Sequence, residues 1–185
     1  MKRVIYADRT LSNQIIAELK QAGIPKKSYK IKTDINSINI TVTDPYVSLE
    51  DVGSVVYKYK SIDYDERGEI LQGGNTFVFV KYSDNAFDTV IPEYMSDATA
   101  AYEYFQGDYP RNTYVIDTAN GEVYVIGFDG SRGDVELYVK SDNRGSASSY
   151  PIYVTDDAHM KDVAIKAIAT WIARFDLHGT FRSRV

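Results

Sequence analysis

The chain has 185 residues, 44% of them hydrophobic, and no cysteine. That size fills one good core or two small ones, and the cysteine count excludes disulfides, thiol nucleophiles and cysteine-based zinc sites while fitting a reducing cytosol. Its formal net charge of −5 is unevenly spread: residues 1–60 hold 10 Lys/Arg against 6 Asp/Glu, residues 61–157 hold 6 against 18, and residues 158–185 hold 5 against 2, a layout of basic ends and an acidic middle.

Lys2 to Tyr6 reads as a short strand, and Asp8 or Thr10 as the cap of a helix to about Ala22 with Leu11, Ile15, Leu19 and Ala22 on one face. Gly23 and Pro25 end it, and Lys20, Lys26 and Lys27 gather there. No run of about 18 apolar residues occurs anywhere, and the opening MKRVIYADRT lacks an apolar h-region, so neither a membrane partner nor export is expected. Tyr29 to Asp34 and Ile38 to Thr43 alternate apolar and polar residues across Ile35-Asn36-Ser37, the pattern of a tight antiparallel hairpin. Asp44-Pro45 breaks the ladder, and Ser48 caps a second helix whose apolar side is Leu49, Val52, Val55 or Val56, and Tyr59.

The run Ser37-Ile38-Asn39-Ile40-Thr41-Val42-Thr43-Asp44-Pro45, preceded by a lysine-bearing helix and basic strand and followed by the helix from Ser48, resembles the large polyvalent-protein-associated domains of phage and plasmid proteins. The resemblance spans roughly residues 11–82. The chain departs from the pattern where an aromatic would precede the Thr-Asp pair and a glycine follow it. Small proteins of this background also resemble type II anti-CRISPR proteins that inhibit Cas9, some of which are associated with loss or trimming of guide RNA. What this implies is a mobile-element protein acting in the cytoplasm of a bacterial host, with Cas9 or its guide RNA as partner. No catalytic residue is carried over by the motif.

Residues 60–75 are polar and acidic and read as a loop or a strand pair with a mobile tip. Phe77, Val78, Phe79 and Val80 are all apolar, so a central strand covered on both sides is expected. The stretch from Ser83 to Pro92 marks a boundary, giving an N-terminal α-β-β-α-β domain over 1–83 and a C-terminal α+β domain over 84–185. In the latter, a helix from Asp97 to Phe105 capped by Ser96 precedes a hairpin, Thr113–Asp117 and Glu122–Phe128, turned at Asn120-Gly121. Val135–Val139 and Ile152–Thr155 continue that sheet. A long final helix, capped by Asp156 or Thr155, carries the stripe Met160, Val163/Ala164, Ala167/Ile168, Trp171/Ile172 and Phe175, with Trp171 and Phe175 expected to be costly to truncate. The fold class is therefore α+β: mainly antiparallel sheets, the C-terminal one hairpin-rich and covered by the long helix.

Three sets of residues are candidates for chemistry. Lys26, Lys27, Lys30 and Lys32 form a basic strand and approach to it, suited to RNA phosphates. Asp129, Asp134 and Glu136 are oxygen ligands of the kind a divalent cation takes, needed only if the protein is a nuclease; otherwise no cofactor is expected. His159 with Lys161 is the acid–base candidate for a ribonuclease that trims guide RNA, whereas His159 and His178 lie about 28 Å apart along a helix and cannot act together. Gly127 to Gly133 has phosphate-loop-like glycine spacing but joins strand to strand, with no helix N-terminus behind it. The functional classes are thus an anti-CRISPR inhibitor acting through Cas9 or guide RNA, a guide-trimming ribonuclease, and a non-enzymatic accessory module of a mobile element; homo-oligomerisation is compatible with each.

Overall fold

A computed structural model describes residues 9–70, 75–106, 113–130, 135–141 and 151–180. The expected strand at Lys2–Tyr6 lies outside them. The chain is an α+β protein that divides into two compact units between Ala86 and Phe87.

The first unit opens with α1 (Arg9–Gln21), which buries Leu11, Ile15 and Leu19 at four-residue spacing. Gly23, at φ 83°, ends it: its amide bonds the Lys20 carbonyl at 3.1 Å and the Ile24 amide bonds the Leu19 carbonyl at 2.9 Å. This is a glycine-closed C-cap, and the buried Ile24 seals it. Strand β1 (Tyr29–Asp34) pairs antiparallel with β2 (Ser37–Val42), as the alternation predicts. The Asp44-Pro45 corner is built by hydrogen bonds. Asp44 accepts from the buried Ser28 hydroxyl at 2.9 Å and from the Tyr46 amide at 3.1 Å, turning the chain out of β2 into α2 (Leu49–Val56). Ser48 caps α2 by accepting from the Glu50 amide at 3.0 Å. Strand β3 (Phe77–Tyr82) then pairs in parallel with β2, so the order is β1-β2-β3.

Helices α1 and α2 cover one face of this sheet. Ile38, Ile40, Val42, Val78 and Val80 point into the core with Leu49, Val52 and Val56 from α2, and Lys58, just past α2, reaches the Glu18 carboxylate of α1 at 2.9 Å. Strand β3 is not central. It is the last strand of the sheet, and Phe79 is 53% exposed. Four consecutive apolar residues suggest burial on both faces, but both helices pack on the Val78/Val80 side, leaving Phe79 exposed and Phe77 only partly buried on the other.

In the second unit, α3 (Ile91–Tyr104) begins six residues before Asp97, with Pro92 in its first turn, where a missing amide hydrogen costs nothing. It leads into an antiparallel meander of β4 (Thr113–Thr118), β5 (Gly121–Asp129), β6 (Val135–Ser141) and β7 (Ile152–Tyr153). The β4–β5 turn is the expected Asn-Gly hairpin, but Ala119 and Asn120 keep negative φ and Gly121 alone takes φ 115°. Gly127 belongs to β5, not to a loop. A Cβ there would stand 2.6 Å from the Phe105 ring, so the glycine lets α3 end flat against the sheet.

Helix α4 (Ala158–His178) is capped by Asp157, whose carboxylate accepts from the Met160 amide at 2.9 Å, and is closed by Gly179 at φ 64°. It buries Ala164, Ile165, Ile168, Ala169, Ile172, Ala173 and Phe175 against α3 and the sheet. The buried stripe is rotated from the one expected. Met160 and Val163 are about half exposed and Trp171 is only half-buried, because small Ala164, Ala169 and Ala173 allow close approach where the larger side chains would not fit. Two further ties hold the unit. Tyr102 both accepts from the Thr155 amide at 2.9 Å and donates to the Thr155 carbonyl at 3.2 Å. Asp176 accepts from the Tyr94 hydroxyl at 2.7 Å and from the Ala119 amide of the hairpin turn at 2.6 Å.

Candidate nucleic-acid interface

Strand pairing fixes what the open face of the first sheet carries. Side chains alternate across a strand and paired residues share a face, so the core face reads Ile31–Ile40–Val80 and Thr33–Ile38–Val78 in its rows. The opposite face reads Lys30–Thr41–Lys81, then Lys32–Asn39–Phe79, then Asp34–Ser37–Phe77. Lys30, Lys32 and Lys81 are exposed, against the single carboxylate of Asp34 at the far end. Lys27 is exposed in the turn that enters β1, beside the Lys30 end. Lys26 in the same turn stands 4.6 Å from the centroid of the Tyr29 ring and donates to the Tyr29 carbonyl at 3.4 Å, so part of its hydrogen-bonding capacity is spent within the fold. Lys30 and Lys32 therefore share one face, to which the register adds Lys81, and Lys27 lies in the turn beside it, whereas Lys26 stands over Tyr29, whose ring belongs to the core side of the sheet.

The register also adds two residues that sequence reasoning assigns to the core. The rings of Phe77 and Phe79 are near-parallel, 14° apart in plane with centroids 6.3 Å apart, and lie on the lysine face. The signal for this was Lys81: it continues the parity of Phe77 and Phe79, and a lysine on that parity marks the wet side of the strand.

The residues proposed for catalysis are not gathered. His159 is exposed in the first turn of α4, and Lys161, two positions on, is turned roughly 200° away around the helix axis. Lys161 lies 3.4 Å from Glu103 and 3.3 Å from Gln106, with its ammonium 5.7 Å from the Tyr102 ring. Asp129 and Glu136 sit at neighbouring positions of the β5–β6 ladder but on opposite parity, so their carboxylates leave the sheet on opposite faces. Glu136 accepts instead from the Tyr138 hydroxyl at 3.0 Å, which holds that phenol above its usual range. Asp134 lies outside the described residues. Among the described residues, no group of three or more His, Asp or Glu side chains is placed to hold a metal ion, and no helix is long and apolar enough to cross a membrane.

The second unit has a shallow hollow of about 470 Å³ on the open side of its sheet, lined by Ile126, Phe128, Glu136, Tyr138 and Lys140. It holds one acid and one base among apolar walls and lacks the lysine concentration of the first sheet. No protein family, no curated protein and no solved structure matches this chain.

Proposed function

We propose that this protein binds RNA through the open face of its first sheet and that, in the mobile-element setting implied by the resemblance of residues 11–82, the RNA is the guide of a type II system, so that binding it inhibits Cas9. One observation carries the RNA reading. The pairing of β1, β2 and β3 puts Lys30, Lys32 and Lys81 on a single uncovered face, with Lys27 at its edge. Ammonium groups spread over a pleated face suit a string of phosphates better than a single anion. The Cas9 setting rests on the resemblance.

The test is to incubate the full chain with Cas9 and guide RNA, with and without EDTA, then follow DNA cleavage and run the RNA on a denaturing gel. The expected result is blocked cleavage with RNA of unchanged length. Shortened RNA would move the assignment to a guide-trimming ribonuclease, and unblocked cleavage would remove the Cas9 setting. RNA binding itself should weaken as salt rises, with a log–log slope near −0.7 for each phosphate neutralised on a single strand. Replacing Lys30 and Lys32 together by Gln should flatten that slope by more than one; a slope unmoved by the double change would overturn the lysine assignment.

A further inference from the structure

Building on the RNA reading above, we infer that the ligand is single-stranded, and that Phe77 and Phe79 stack on unpaired bases while the lysines hold the backbone. An exposed phenylalanine on a sheet face costs apolar hydration, and here Phe79, 53% exposed, is held side by side and near-parallel with the partly exposed Phe77. Every base has a π-face, so such a pair accepts successive bases without regard to sequence, and a base within a duplex cannot reach it. The neighbours on the face are of the right kind. Lys32 and Asn39 share a row with Phe79, and Lys30, Thr41 and Lys81 form the next row. The Asn39 amide, which donates to the Ser37 hydroxyl at 3.1 Å, lies beside the Phe79 ring, where it can meet a base edge. A protein partner is a poorer fit, since buried protein interfaces are depleted in lysine and this face has three around its rings.

The experiment measures binding of the full chain to fluorescent single-stranded RNA of about 12 nucleotides and to a duplex of the same sequence. Three variants, Phe79→Leu, Phe77→Leu and Phe79→Tyr, are compared with the wild type. Leucine keeps apolar bulk on the strand and removes the aromatic face; tyrosine keeps the face. Thermal unfolding of each variant verifies that it is folded. The expected result is preference for the single strand, a loss of roughly five- to hundredfold in affinity in each leucine variant, and near-wild-type affinity in Phe79→Tyr. Equal affinity for duplex and single strand, with the leucine variants unaffected, would overturn the stacking while leaving the lysine contact standing. Absence of binding to either RNA would overturn both. A concentration-dependent dimer abolished by Phe79→Leu would assign the face to a second copy of the chain and also overturn it.

Discussion

Glu18, Lys58 and Tyr59 close the rim of the first core, and their titration should be visible in the stability of the whole chain. Burial first, and then the adjoining Glu18 carboxylate, push the Tyr59 phenol up from 10.0 to about 12. Because the folded value lies above the unfolded one, the neutral phenol stabilises the fold. That contribution is complete below about pH 10 and is lost as pH rises from there through about 12, by an amount of order 2 to 3 kcal/mol. Tyr59→Phe should remove this alkaline component, so that the difference in urea midpoint between pH 8 and pH 11 shrinks relative to wild type; an unchanged difference would refute it. Glu18 has the opposite sign. Burial acts to raise its pKa, but the Lys58 ammonium at 2.9 Å, the neighbouring Tyr59 phenol and the Gln14 amide outweigh it and hold the carboxyl below its ordinary 4.5. Its contribution is present above that value and is lost as pH falls. Asp44 shows how a sequence motif acquires meaning at this scale: the Thr-Asp-Pro run that carries the resemblance works in this chain as a corner, with its carboxylate committed to Ser28 and Tyr46.

Among the elements, those fixed by local chemistry were legible and those fixed by distant partners were not. The β4–β5 hairpin follows from Asn120-Gly121, the α2 start from Ser48, and the α1 end from Gly23, each within a few residues of its cause. The place of β3 is decided by pairing with β2 from across α2, and nothing within Phe77–Tyr82 except Lys81 discloses which face stays wet. The lysine face was therefore half legible: Lys30 and Lys32 alternate visibly on β1, while Phe77 and Phe79 join them only through the parallel register. Helix α4 has apolar residues around more of its circumference than one contact can bury, so the pattern alone leaves its rotation open. Its observed rotation gives a direct expectation. Ile168→Ala or Ile172→Ala should cost about 2–5 kcal/mol in denaturant unfolding, whereas Met160→Ala and Val163→Ala, half exposed, should each cost under about 1 kcal/mol. Equal costs in the two pairs would contradict the packing described for α4.

At the scale of the molecule, net charge argues against indiscriminate attraction to nucleic acid. With −5 overall and a sequence pI near 5.1, the chain has no net attraction for a polyanion, and because charges more than a Debye length apart, about 10 Å at 0.1 M salt, are largely screened, a local face of opposite sign can still hold one. The proposed RNA contact would draw its affinity from that one face of the first unit. The parallel pairing of β2 with β3 also dictates the order in which that patch can exist during synthesis. A ribosome that has released only as far as Val56 has delivered Lys30 and Lys32, but β2 still has a bare edge, and Val52 and Val56 lack the Val78 and Val80 that complete their cover. Nascent chains stalled there should be cut freely by added protease within residues 9–56, and chains stalled well beyond Tyr82 should resist up to Ala86. Early resistance would mean that the hairpin and its helices close without their last strand. The lysine face is thus completed by the strand made last in its sheet, and a half-made copy presents Lys30 and Lys32 without Lys81 or the aromatic pair.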